Sequence, residues 1–162
     1  MAETLSVTEM IPNKFEPKRG NRWVFAIEGI DAFLMKTAKR PSYTIKKDEI
    51  NWINSVRKVA GKATFGDMNI TLYDPIAPSG AQQVMEWIRT HHETVSGRAG
   101  YADFYKRDCQ LKMLDPVGTV VELWDIKGAQ LTSADYGSLS YDSESIMEIT
   151  IGISFDNCVL QY

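Results

Sequence analysis

In residues 145–155, SIMEITIGISF, alternation runs unbroken from Met147: Met147, Ile149, Ile151, Ile153 and Phe155 fall on one side, and Glu148, Thr150, Gly152 and Ser154 on the other. A helix, with about 3.6 residues per turn, would spread those apolar side chains around its circumference, whereas a strand gathers them on one face. The segment is therefore read as a strand with one buried face and one that is wet or lies against polar neighbours. A single strand is not stable alone, so the chain must supply partner strands and an apolar layer beneath them.

The partners are legible. Trp23, Phe25 and Ile27 alternate with Arg22, Val24 and Ala26, and a turn at Gly29 and Asp31 leads to Ala32–Thr37, a predicted hairpin. Residues 57–74, RKVAGKATFGDMNITLYD, pass from a basic start through a predicted turn at Gly61 and a Phe65-Gly66 step into a strand. That strand sets Met68, Ile70 and Leu72 against Asn69, Thr71 and Tyr73, and ends at Asp74-Pro75. Further strands are predicted over 106–114 and 119–126, with residues 128–144, rich in Ser, Asp, Gly and Tyr, as a long connection before the closing strand.

One helix is predicted, over about residues 79–95. Ser79 with Gln82 three positions on forms a capping-box pattern, and Ala81, Val84, Trp87, Ile88 and His91 follow at helical spacing toward Ser96-Gly97. Antiparallel strands with a single mid-chain helix argue for a mainly β fold, an antiparallel sandwich or barrel with the helix on one flank. Residues 20–162 suffice for one such domain without disulfides. Residues 1–19, with Pro12, Pro17 and scattered Thr and Ser, read as an N-terminal arm that orders only against something else.

Chemistry is sparse. His91 and His92 point about 100° apart on a helix and cannot share a metal. Cys109 and Cys158 lack CxxC spacing and read as reduced, buried thiols. No glycine-rich phosphate loop occurs, and Asp135, Asp142 and Glu144 read as a solvated or interface loop. Neither a signal peptide nor an apolar run of about 18 residues is found, which implies an intracellular protein where it is made. A net charge of −3 opposes a nucleic-acid-binding surface. No catalytic residue, metal site or cofactor is expected.

The segment 42–54 is different. Tyr43, Ile45, the charged run Lys46, Lys47, Asp48 and Glu49, and then Ile50, Trp52 and Ile53 form part of an extended hairpin over about 42–60. Trp52 is read either as an ordinary core side chain or as an aromatic anchor, ringed by charges, that buries against another subunit.

Two blocks, residues 57–74 and then 122–156 (ELWDIKGAQLTSADYG followed by LSYDSESIMEITIGISFD), separated by the helix that carries Trp87, resemble in order and spacing the tail tube proteins of contractile-tailed bacteriophages. These are related to the inner-tube proteins of type VI secretion. The resemblance spans roughly residues 20–160, with Leu131 where related chains tend to have proline and Tyr141 where tryptophan is common. It implies a tail-tube-like fold and a non-enzymatic building block whose hexameric rings stack into a hollow tube. That tube would be a conduit for DNA ejection into the host, with the sheath, baseplate and tail terminator proteins as partners and DNA passing without specific binding.

The implied location is the tail tube of a virion assembled in the host cytoplasm, with no membrane insertion. In that setting Lys46, Lys47, Asp48, Glu49, Ile50, Trp52, Ile53 and Arg57 are expected at the joint between rings, and Glu148, Thr150 and Ser154 on the lumen. The alternatives are a phage-derived contractile injection particle, a single-ring baseplate or terminator relative, a small-ligand-binding β-barrel, or a small hydrolase using a buried carboxylate.

Overall fold

A computed structural model gives the fold and describes Pro12 and residues 14–162. Its strands are β1 (Trp23–Ile27), β2 (Met35–Ala38), β3 (Tyr43–Trp52), β4 (Ser55–Phe65), β5 (Met68–Tyr73), β6 (Arg107–Leu114), β7 (Val120–Asp135), β8 (Glu148–Ser154) and β9 (Asn157–Leu160). Between β5 and β6 lie helix α1 (Gly80–His91) and the short α2 (Ala102–Tyr105), and a 3-10 turn at Ala32–Leu34 joins β1 to β2. The main sheet runs β1-β6-β7-β8-β5-β2 with all neighbours antiparallel, β9 adds to β7, and among the described residues β3 and β4 pair only with each other.

Two features make that sheet curl. β1 and β2 are its outer strands, yet only seven residues separate them in the chain, so the edges must come round toward each other. Across the sheet, Gln130 faces Ser154 and Lys127 faces Asn157, so β8 and β9 follow β7 as one strand broken at Phe155-Asp156. Opposite the break stands Gly128, at φ +67, where a Cβ would lie 2.3 Å from an Asp156 carboxylate oxygen. Only glycine accepts both that backbone and that approach.

The apolar faces meet inside the curl. Met68, Ile70 and Leu72 oppose Ile153, Ile151 and Ile149 in register, and Phe25, Leu111 and Ile126 continue the buried layer on the other half. α1 lays Val84 and Trp87 on this core. The Trp87 indole N–H donates to the Tyr105 carbonyl at 2.7 Å, and the Arg107 guanidinium stacks 4.9 Å from its ring centroid. Each buried Leu, Ile or Met contributes about 1.5–3 kcal/mol relative to exposure.

The predicted fold class holds, and the alternating faces fall as expected, but several boundaries move. The Ser79 hydroxyl caps α1 by accepting the Gln82 N–H at 3.5 Å, while the helix stops at His91, not near residue 95. His92 instead bridges Ala99, and Gly97 at φ +69 turns the chain back. The first predicted hairpin does not form: β1 pairs with β6 and β2 with β5. Gly61 is not a turn but lies within β4 beside the bulge between Ile45 and Lys47, where a Cβ would sit 3.1 Å from the Lys46 carbonyl oxygen. Residues 128–135, expected in a loop, extend β7, which leaves 136–147 as the connection.

The predicted arm, residues 1–19, falls largely outside the described residues, although Lys18 is held by the body through Glu122. Cys109 and Cys158 flank Ile126 on strands two spacings apart, roughly 10 Å, and both are free. Burial pushes the Cys109 thiol up to about 12 and the Cys158 thiol up to about 11, so neither supplies thiolate near neutral pH.

Candidate assembly surfaces

The β3–β4 hairpin leaves the body. Every residue of β3 is exposed, and in β4 only Gly61 and Phe65 are half-buried. Its root is fixed by an aromatic chain, Tyr43 to Phe65 at 6.1 Å and Phe65 to Phe155 at 5.4 Å, and by the Gly66 N–H donating to the Ser42 carbonyl at 2.8 Å. At its tip Trp52 pairs with Ser55, and Ile53 stands at φ +47 with 88% of its surface exposed. A β-branched residue rarely takes that conformation, and strain of this kind concentrates where a surface has work beyond folding.

Register sorts the predicted residues onto two faces. Beyond the bulge, Asp48, Ile50 and Trp52 stand opposite Val59, Arg57 and Ser55, while Lys47, Glu49 and Asn51 stand opposite Ala60, Lys58 and Val56. One face therefore carries the apolar Ile50, Trp52 and Val59, with Asp48, Arg57 and Ser55 among them. The other is charged, with Lys47 and Glu49 paired at 3.4 Å and Lys58 opposite Glu49. Lys46 lies in the bulge. Trp52 is 69% exposed and takes no part in the protomer core, which removes the first of its two readings.

A second surface is the outer face of β2, β5, β8 and β7. Thr37, Thr71, Thr150 and Asp135 cross the four strands in one row, and Asn69, Gly152 and Ser133 form the next on three of them. Gly152 is crowded by its neighbours, a Cβ there meeting the Ser133 hydroxyl at 2.5 Å. Of the residues expected on a lumen, Thr150 is exposed, and Glu148 and Ser154 are half-exposed on this same face. Glu148 is not a free charge, because Lys36 donates to its carboxylate.

The sequence reading missed Glu122, the one buried charged residue among those described. It lies on the core side of β7, accepting from the Lys18 ammonium and from the Trp124 indole N–H, with Arg40 at 3.6 Å. Burial alone would raise its carboxyl, but Lys18, Trp124 and Arg40 together outweigh that and hold it below the usual carboxylate range. It thereby ties residue 18 and the approach to the hairpin to the same strand. The available signal was a glutamate in phase with Trp124 and Ile126.

The residues weighed for catalysis do not converge. Among the described residues no three His, Cys, Asp or Glu side chains gather as metal ligands. His91 packs edge-on against Tyr105 at 4.5 Å, and Asp135 is occupied by the Gly137 N–H.

No protein-family model matches the chain, and no curated protein matches it in sequence. Solved structures do match in shape. The tube-terminating cap of the anti-feeding prophage is 16% identical, with 97% of this chain and 99% of that one covered at a TM-score of 0.75. A chain from the PVC sheath-tube complex, part of an extracellular contractile injection system, is 15% identical, with 98% and 99% covered at 0.68. Hcp1 from Flavobacterium johnsoniae is 14% identical, with 86% and 94% covered at 0.52. The chain has a tail-tube-like fold, shared over nearly its whole length with components of contractile injection systems.

Proposed function

We propose that this chain is the structural subunit of the inner tube of a contractile tail: copies close into hexameric rings, the rings stack, and the hollow tube conducts DNA into the host. The observation that carries this reading is the freestanding hairpin, whose Ile50–Trp52–Val59 strip is left half or more exposed by the described residues of the protomer. An isolated two-stranded ribbon is marginal in water, so a surface that shape needs a partner. In the tube that partner is the next ring, reached by Lys46, Lys47, Asp48, Glu49, Ile50, Trp52, Ile53 and Arg57.

The rest of the fold supports it. β1 and β2 each pair on one side only among the described residues, so ring closure would continue the sheet from copy to copy and remove edges that otherwise invite random pairing. The hydroxyl-rich face with Glu148, Thr150 and Ser154 then lines the lumen. With a net charge of −3 per chain, DNA gains little from counterion release on the wall and passes without holding to it. The tube's partners are a sheath, a baseplate and a terminator, and it resides in the particle.

A phage-derived injection particle would use the same subunit for another cargo. The second reading, a terminator that forms one ring, shares this fold with the anti-feeding prophage cap. Negative-stain microscopy of the purified protein tests all of these: long tubes support the proposal, single rings favour the terminator, and monomers at high concentration overturn both.

A further inference from the structure

We propose that the hairpin docks into a hollow on a second copy of this chain, formed by residues 138–147. The proposal rests on the stacked-tube reading and adds the acceptor that reading lacks.

The hairpin root and the hollow lie at opposite ends of β5. The hairpin ends at Phe65, and β5 runs from Met68 away from it to Tyr73, where antiparallel β8 places Glu148 alongside. The 136–147 connection therefore opens about 20 Å from the hairpin root, by the rise of a strand. Copies repeated head to tail bring one end against the other, in a heterologous contact that continues along an axis.

The chemistry of the two ends matches. The hollow has a volume of about 430 Å³ and is lined by Leu139, Tyr141 and Met147 with serines between them. Leu139 is 86% exposed, and Tyr141 and Ile146 are also open to solvent, an apolar surface as unpartnered as the hairpin's own. The space admits the Trp52 indole with Ile53 beside it, and the Ser143 and Ser145 hydroxyls, 2.7 Å apart, offer oxygens to the indole N–H. Charge agrees in its balance: residues 137–147 carry Asp142 and Glu144 and no cation, whereas hairpin residues 46–58 set Lys46, Lys47, Arg57 and Lys58 against Asp48 and Glu49. Opposite charges at the rim fix register, with the apolar anchor at the centre.

Cross-linking tests this. In a Cys158→Ala background, with Cys109 left buried, Ile53→Cys protein is mixed with Leu139→Cys protein and oxidised under assembly conditions, with Ile53→Cys plus Val117→Cys as a control. Val117 is exposed in the turn before β7, at the end of that strand away from Asp135 and the 136–147 connection. The expected result is a mixed disulfide dimer at about tenfold or more over the control pair, and a ladder of multimers from the Ile53→Cys/Leu139→Cys double variant. As a second measurement on otherwise unaltered protein, Arg57→Glu with Lys58→Glu should suppress assembly, and adding Asp142→Lys with Glu144→Lys should restore it. Tubes with no enrichment over control and no charge-swap rescue overturn the acceptor alone. Absence of both tubes and cross-links overturns the acceptor and the tube reading together.

Discussion

Replacing Trp52 with alanine separates folding from assembly, and the structure sets the size of each effect. A fully covered indole buries roughly 150–250 Å². With Trp52 69% exposed, the protomer covers about a third of that, on the order of 50–80 Å², worth about 1–2 kcal/mol at ~25 cal/mol/Å². That figure is an upper estimate, since the unfolded chain covers part of the ring as well. The uncovered remainder, roughly 100–170 Å², would contribute about 2.5–4 kcal/mol per joint by the same conversion, which is the hot-spot range. Trp52→Ala should therefore lower the melting temperature by only about 2–8 °C while weakening each hairpin contact by roughly 50- to 1,000-fold. Sedimentation across a dilution series gives the critical concentration, microscopy confirms the species, and a thermal melt of the unassembled protein gives stability. Assembly at the wild-type concentration refutes the reasoning, as does a protomer that no longer folds, which would put the indole inside the subunit.

Trp87→Ala should behave oppositely, costing about 3–5 kcal/mol of protomer stability in urea, because its ring is buried under Arg107 and its N–H is held by Tyr105. The Glu122 carboxyl is held below its usual value of 4.5 in the folded chain, so its stabilisation is present above that pH and is lost as pH falls through the lower folded value. Urea midpoints measured down that acid range should drop more steeply in the wild type than in Glu122→Gln; parallel slopes would show that the carboxylate is not ionised in the fold. Glu148→Lys sets a second cation beside Lys36 on the hydroxyl-rich face and is expected to leave tubes intact while slowing DNA passage. Normal ejection by particles carrying it would remove that face from the lumen.

What the sequence disclosed and what it hid follow from how far each signal reaches. The phase of Met68, Ile70, Leu72 and of Ile149, Ile151, Ile153 is local, and both triplets are buried as read. Pairing is not local: Ile27 and Met35 look like two arms of a hairpin, but their partners, Cys109 and Leu72, are fixed by the closure of the whole sheet. Gly61 and residues 128–135 failed for a related reason, since glycine marks either a turn or a close approach, and only the opposing strand decides which. For the hairpin, composition located the sticky segment, and alternation already put Ile50 with Trp52 and Glu49 opposite. That Arg57 shares their face depended on the Trp52–Ser55 turn, and how that face relates to Tyr43 and Ile45 at the root depended on the bulge at Lys46. A one-residue bulge exchanges faces for everything beyond it.

The choice between tube and cap turns on the ends of the subunit more than on its fold, because the same fold occurs in a terminating cap. A cap must bind the ring below and present nothing to a ring above, so one of its ends should be polar and closed. Here the hairpin end exposes Ile50, Trp52 and Ile53, and the far end exposes Leu139, Tyr141 and Ile146, so each end carries an apolar surface in need of cover. The two sets also differ in net charge, the hairpin carrying Lys46, Lys47, Arg57 and Lys58 against Asp48 and Glu49 and the 137–147 loop only Asp142 and Glu144, which favours each end's opposite over its like. A subunit sticky at both ends and complementary from one to the other propagates until a different protein stops it. On the proposed docking, that asymmetry favours a tube subunit over a terminator, and the 137–147 loop is then where a terminating cap is expected to differ.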